Sequence, residues 1–328
     1  MESRWSDSQA NLTIEQYAEQ GVSGDLALRV YTSRLLGQDP ELVLHGGGNT
    51  SVKLTVADLL GEETLVLCVK GSGWDMADIE PAGLPAVRLR PLLRLRELNE
   101  LSDEAMVNFV RSGLLDSTAP NPSVETLLHA FFPQKYVDHS HANAILSLTD
   151  QPDGERICRD VFGDRFGIIP YIMPGFALAQ KAIEIYESRP DVDGLIALKH
   201  GIFTFAETAR DAYDHMIDAV TLAQERVARG RKSVFPAASV PRNPMPVAEV
   251  APIIRGACAI RDETGGREHQ RFVLDFRTGP EILAYVNGRE VERYGQAGVA
   301  TPDHAIRTKG WPLILPAPVA GDDSSFKR

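Results

Sequence analysis

Residues 122–143 read PSVETLLHAFFPQKYVDHSHAN, and the rest of the sequence organises itself around them. Pro122-Ser123 starts a helix, SVETLLHAFF, with Ser123 suited to the N-cap and Glu125 in the first turn, where the helix dipole favours negative charge. A strand follows and ends in His139 and His141. Residues i and i+2 of a strand point to the same face, so both imidazoles can reach one ion. A carboxylate and a metal ion in one cavity can move a proton next to a carbonyl. Taken alone, Glu125 is also what an ordinary first-turn acid looks like. His129 lies four residues on from Glu125 but sits among Leu128, Phe131 and Phe132, and reads as packing.

Upstream, ELVLHGGGNTSVKL (41–54) is expected to be a short apolar strand, a glycine corner with Asn49-Thr50-Ser51, and a return strand. TLVLCVKGSGWDM (64–76) is a second β run ending in Lys70-Gly71-Ser72-Gly73. Two such corners can aim backbone N–H groups at one anion, a phosphate nest. Residues 12–37 read as one or two helices, PAGLPAVRLRPLLRLREL (81–98) as a helix interrupted at Pro91, and SDEAMVNFVRSGLL (102–115) as a helix opened by Ser102. Downstream, GLIALKHGIFTFAET (194–208) is two β runs meeting at Lys199-His200-Gly201, followed by a long helix capped by Thr208. His200 ends an apolar strand beside a glycine that permits close approach, which makes it the natural third ligand of a zinc site. This alternation predicts an α/β fold, a three-layer α/β/α arrangement with a mostly antiparallel central sheet.

The composition changes near residue 235. FPAASVPRNPMPV (235–247) reads as a proline-rich linker, dividing a catalytic domain, 1–235, from a small α+β extension, 236–328. In the extension, 247–260 and 281–288 are expected to be helical and RFVLDFR (271–277) a strand. His304, Arg307 and Lys309 in TPDHAIRTKGWPLILP (301–316) are either a basic lip for an anionic ligand or an ordinary loop.

Of the 328 residues, 43% are hydrophobic and 24% charged, enough to bury a substantial core. A net charge of −11 argues against nucleic acid as a partner. Cys68, Cys158 and Cys258 are far apart, which fits a reducing compartment and no cysteine zinc site. The N-terminus has no apolar h-region and no run is long enough for a membrane span, so the expectation is a soluble cytoplasmic protein without membrane partners.

Gly48-Asn49-Thr50-Ser51, Ser72-Gly73, Pro122-Ser123-Val124-Glu125, His139-Ser140-His141 and His200-Gly201, in that order, are similar to the motifs of the class II aldolase/adducin family. The resemblance covers roughly residues 24–230. The appended unit looks like the end of the aldolase part of bifunctional rhamnulose-1-phosphate aldolase/dehydrogenases. With the sequence ending at Arg328, their dehydrogenase half is expected to be absent. The resemblance implies a zinc-dependent aldehyde-lyase with one Zn2+, or another divalent cation, per chain. Its substrate would be a ketose 1-phosphate such as rhamnulose 1-phosphate, cleaved to dihydroxyacetone phosphate and an aldehyde such as lactaldehyde. His139, His141 and His200 would hold the metal and Glu125 would transfer the proton. Gly48, Asn49, Ser51, Ser72, Gly73 and Ser123 would hold the phosphate of this small-molecule sugar phosphate. Where the family often has two adjacent serines before the Glu, this sequence has Val124 second. For the tyrosine acid that family aldolases take from a neighbouring subunit, Tyr171 is the candidate. The family also implies a homo-oligomer, commonly a tetramer. Methylthioribulose-1-phosphate dehydratase, pentulose-phosphate epimerase and sugar-acid decarboxylase activities share the scaffold, as do non-enzymatic adducin-like proteins that lack the full metal set.

Overall fold

The computed structural model describes residues 1–57, 60–230, 246–263 and 268–315. Seven strands form one sheet: β1 (Asn49–Ala57), β2 (Glu63–Val69), β3 (Ala86–Arg88), β4 (Tyr136–Ser140), β5 (Phe166–Ile169), β6 (Gly194–Ala197) and β7 (Gly201–Ala206). Their spatial order is β3-β2-β1-β4-β7-β6-β5, antiparallel throughout except for β5 beside β6. Helices α1 (Asp7–Ala18), α2 (Gly24–Gly37), α3 (Leu89–Arg94), α4 (Asp103–Ser112), α5 (Thr126–Phe131), α6 (Asn143–Thr149), α7 (Gly154–Phe162), α8 (Phe176–Ser188) and α9 (Ala209–Ala228) belong with it. Ser23, Ser102 and Thr208 cap α2, α4 and α9 with their side-chain oxygens.

Alternation along the strands makes three layers. Val137, Phe203 and Phe205 pack with Leu127, Leu128 and Phe131 of α5 and Leu178, Ala179 and Ile183 of α8. Residues one position along face the other way: Ile202 packs with Tyr213 and Met216 of α9, and Tyr136 with Ala27 and Val30 of α2. Every residue of β4 is buried, as a central strand covered on both faces requires. On the α2 side Asp138 pairs with Arg29 at 2.5 Å, both fully buried. The opposite face therefore receives His139.

Several expected elements differ. The run 42–44 is turn and loop, not strand: Asp39 O accepts from both Leu42 N and Val43 N, and the Asp39 carboxylate accepts from Glu41 N, so the backbone beside Pro40 is already committed. Leu42 and Val43 are buried all the same. The expected helix over 81–98 is instead a short 3-10 turn at Pro81–Gly83 followed by β3, paired to β2, and only Leu89–Arg94 is α-helical. Helix α5 starts at Thr126, so Ser123 and Glu125 precede it, with Glu125 at the N-cap.

The chain divides into two compact units, one of Met1–Gly230 with Val299–Lys309, the other of Arg231–Gly298 with Gly310–Arg328. The first unit thus contains α13 (Pro302–Arg307), inside a segment that lies beyond the expected boundary near residue 235. In the second unit the described elements are α10 (Val247–Ala257), a two-residue β-ladder of Ile260–Arg261 with His269–Gln270, α11 (Pro280–Val286) and α12 (Val291–Gly295). Residues 271–277 carry no regular secondary structure, where a strand was expected. Most of the proline-rich linker lies outside the described residues. No described helix is long and apolar enough to cross a membrane. Cys68 and Cys158 are buried and Cys258 exposed, all as free thiols.

Candidate metal centre

β4 pairs with β1 through Asn49 opposite His139 and with β7 through His139 opposite Phe203. Phe203 stacks flat on the His139 ring, centroids 4.0 Å apart and planes 9° apart. The β6–β7 corner turns through Lys199 at φ 58° and delivers His200. A Cβ on Gly201 would stand 2.3 Å from Ser140 O and 3.1 Å from each of the His139 and His141 rings, so only glycine admits the third histidine here. Gly48, at φ +59°, lies as tightly against the other side, where a Cβ would meet His139 O at 2.6 Å.

His139, His141 and His200 form a buried group whose ligand nitrogens all lie within 4.8 Å of one another. His139 Nδ1 donates to Ile202 O at 3.0 Å and His141 Nδ1 to Asp303 Oδ1 at 2.6 Å. With both Nδ1 atoms protonated, the Nε2 lone pairs of the two rings face each other at 3.0 Å. Two bare lone pairs at that separation call for an electrophile between them, and a divalent cation can serve all three imidazoles at once. Burial pushes His139 well below the ordinary histidine range despite the opposing charge of Glu125, so it stands neutral, as a ligand must. The residues present therefore fit a metal ion.

Glu125 closes the group. Its Oε1 lies 3.2 Å from His200 Nε2 and its Oε2 3.4 Å from His139 Nε2. Oε1 is buried without a hydrogen-bond partner among the described residues. Burial alone would raise this carboxyl; the hydrogen bond from Asn49 opposes that and favours the charged form. A charged carboxylate with one unengaged oxygen beside three imidazoles is equipped to accept and return a proton.

The expected phosphate residues do not all behave alike. Asn49 Nδ2 donates to Glu125 Oε2 at 2.7 Å and to Ser123 Oγ at 3.0 Å. Gly71 pairs with Pro122 as a bridge, Ser72 N donates to Asn121 O and Ser123 N to Lys70 O, so the Ser72-Gly73 corner is tied to Ser123. Ser72 and Gly73 are exposed. Ser51 is fully buried, its hydroxyl 2.8 Å from His129 Nδ1, which makes it a support rather than a surface donor. Val124 is 55% exposed. Lys70, whose pKa burial lowers, donates to Gly46 O at 3.0 Å. Tyr171 is exposed, with its hydroxyl 3.1 Å from Met173 Sδ, and within the chain it makes no hydrogen bond to the histidines.

A family model, Class II Aldolase and Adducin N-terminal domain, matches residues 27–227. The chain belongs to the class II aldolase and adducin family. A second model, Aldolase class II, second domain, matches residues 246–328. One solved relative of this class II aldolase-family chain is the N-terminal class II aldolase domain of a conserved protein from Thermoplasma acidophilum. It is 38% identical with a TM-score of 0.61, over 69% of this chain and 99% of that one. A curated relative, the uncharacterized oxidoreductase YuxG of Bacillus subtilis (strain 168), is 34% identical over 294 residues, 87% of this chain. The chain spans 41% of that relative's length.

Two residues of this class II aldolase-family site escape a reading by spacing. His129 Nε2 donates to Asn49 Oδ1 at 2.5 Å, completing a buried line from Ser51 through His129 and Asn49 to Glu125. Its i+4 relation to Glu125 was the available signal, masked by apolar neighbours. Asp303 stands 162 residues beyond His141, and only its place in the basic segment 301–309 drew attention to the region. Of that segment's basic residues, His304 bonds Thr301 within the segment, Arg307 donates to His45 O, and Lys309 is exposed.

Proposed function

We propose that the chain is a zinc-dependent class II aldolase that cleaves a ketose 1-phosphate to dihydroxyacetone phosphate and an aldehyde. Rhamnulose 1-phosphate or a similar deoxyketose 1-phosphate is the substrate class, with lactaldehyde as the second product. The observation that carries this reading is the convergence of three buried imidazoles and Glu125 beside the corner built from Asn49, Ser72-Gly73 and Ser123. A divalent ion held by His139, His141 and His200 would supply Lewis-acid stabilisation of the enediolate charge.

The chain's own residues do the rest. When the C3–C4 bond breaks, its electron pair enters the enediolate and the C4 hydroxyl becomes the aldehyde carbonyl as its proton passes to the Glu125 carboxylate. Glu125 then returns that proton to C3 through the oxygen that has no hydrogen-bond partner, while Asn49 holds the other. The exposed Ser72-Gly73 corner and Ser123 receive the phosphate. Burial of the centre excludes water from the carbanionic carbon.

The test is a panel of ketose 1-phosphates with detection of dihydroxyacetone phosphate. Turnover of rhamnulose or fuculose 1-phosphate is expected; product without dihydroxyacetone phosphate would indicate dehydration or epimerisation and remove the aldolase assignment. Glu125→Gln should retain about one zinc per chain and lose roughly 100- to 10,000-fold in turnover. Metal analysis of His139→Ala and His200→Ala should show depleted zinc, and undiminished metal in either would withdraw that ligand.

A further inference from the structure

The segment Val299–Lys309 belongs to the compact unit that carries the histidines, although residues 231–298 intervene in sequence. Its Thr301 and Asp303 are 4% and 2% exposed, in a stretch whose other polar side chains lie open. Asp303 makes two directed contacts. Oδ1 accepts the Nδ1 proton of His141 at 2.6 Å, and Oδ2 accepts Leu44 N–H at 2.8 Å. The glycine loop makes room for it: a Cβ on Gly47 would stand 1.6 Å from Asp303 Oδ1. Arg307 Nε donates to His45 O at 2.6 Å and anchors the segment to the same loop.

Each ligand ring needs an acceptor for its Nδ1 proton if Nε2 is to face the ion. For His139 that acceptor is a backbone carbonyl of β7, which is neutral. For His141 it is a buried carboxylate, which also places negative charge behind the ring. Carboxylate support of this kind orients a histidine and strengthens it as a donor.

We infer that Asp303 is a positioning residue of the metal centre: this late segment holds His141 in its ligating tautomer and orientation. The inference rests on the metal reading above. Without the carboxylate, the His141 ring is free to rotate or to change tautomer, and the site keeps two oriented imidazoles instead of three.

The experiment compares the full-length parent with Asp303→Asn and Asp303→Ala. Zinc affinity is measured by chelator competition, and the visible absorption of the Co2+-loaded proteins reports ligand geometry. Asp303→Ala should bind zinc about 10- to 100-fold more weakly than the parent, and its Co2+ band should change in position or intensity. Asp303→Asn retains an amide oxygen for the Nδ1 proton but no charge, and should fall between the two. Should Asp303→Ala fail to fold, the Asn variant carries the comparison alone. Parental affinity and an unchanged Co2+ band in the variants that fold would overturn the positioning role while leaving the metal site intact. A parent that takes up neither ion would instead remove the metal reading and this inference with it.

Discussion

His129 lies wholly inside the protein, with Ser51 on one ring nitrogen and Asn49 on the other. Burial lowers its pKa from an ordinary 6.5 to about 3. The folded state thus refuses a proton that the unfolded chain accepts once the pH drops below 6.5. Stability should fall as the pH moves from 6.5 toward 3, by up to a few kcal/mol from this group. Urea midpoints of the parent and His129→Gln across that range test this: the variant should show a shallower decline, and parallel curves would discount the effect. The pair His139 and His141 was legible because a two-residue period on a strand is geometry written directly into sequence. His200 was legible from its glycine. Asp303 was not, because a lone acid in the first turn of the short helix α13 carries no periodic mark and its partner lies 162 residues away.

Among the elements, β4 carries opposite chemistries on its two faces. His139 faces the candidate centre, while Asp138 turns to the α2 side and meets Arg29. Arg29 also donates to Ser51 O and Val137 O, so one guanidinium ties α2 to β1 and β4. Removing one partner leaves a buried charge without compensation. Arg29→Ala should therefore cost about 3–5 kcal/mol, whereas the double change Arg29→Met with Asp138→Leu should cost much less. Chemical denaturation of both proteins decides it, and equal losses would indicate that packing alone, rather than the pairing, matters. Strands with strong β runs, such as β2 and β7, were readable from composition. The apolar run 42–44 misled because burial and strand formation are separate properties: Leu42 and Val43 enter the core from a turn. The start of α5 was misplaced because Glu125 faces the histidines from the N-cap position instead of joining the first turn.

At the scale of the molecule, the layered sheet was foreseeable from the alternation of strands and helices, but its strand order was not, since pairing partners lie far apart in the chain. If the folded protein alone holds zinc, metal at 100 times its Kd adds about 2.7 kcal/mol. Stripping it with a chelator should lower Tm by about 5–10 °C, reversed when zinc is restored. An unchanged Tm in a preparation shown by analysis to have lost its metal would count against a metal held by the folded centre. The return of Val299–Lys309 to the first unit has a consequence in time. His141, just past the end of β4, leaves the ribosome well before Asp303, and another 162 residues must be polymerised before the two can meet. At roughly 5–20 residues per second that interval is on the order of 10–30 s. A metal centre of the kind proposed would therefore gain the carboxylate behind His141 only after Asp303 has been added to the chain.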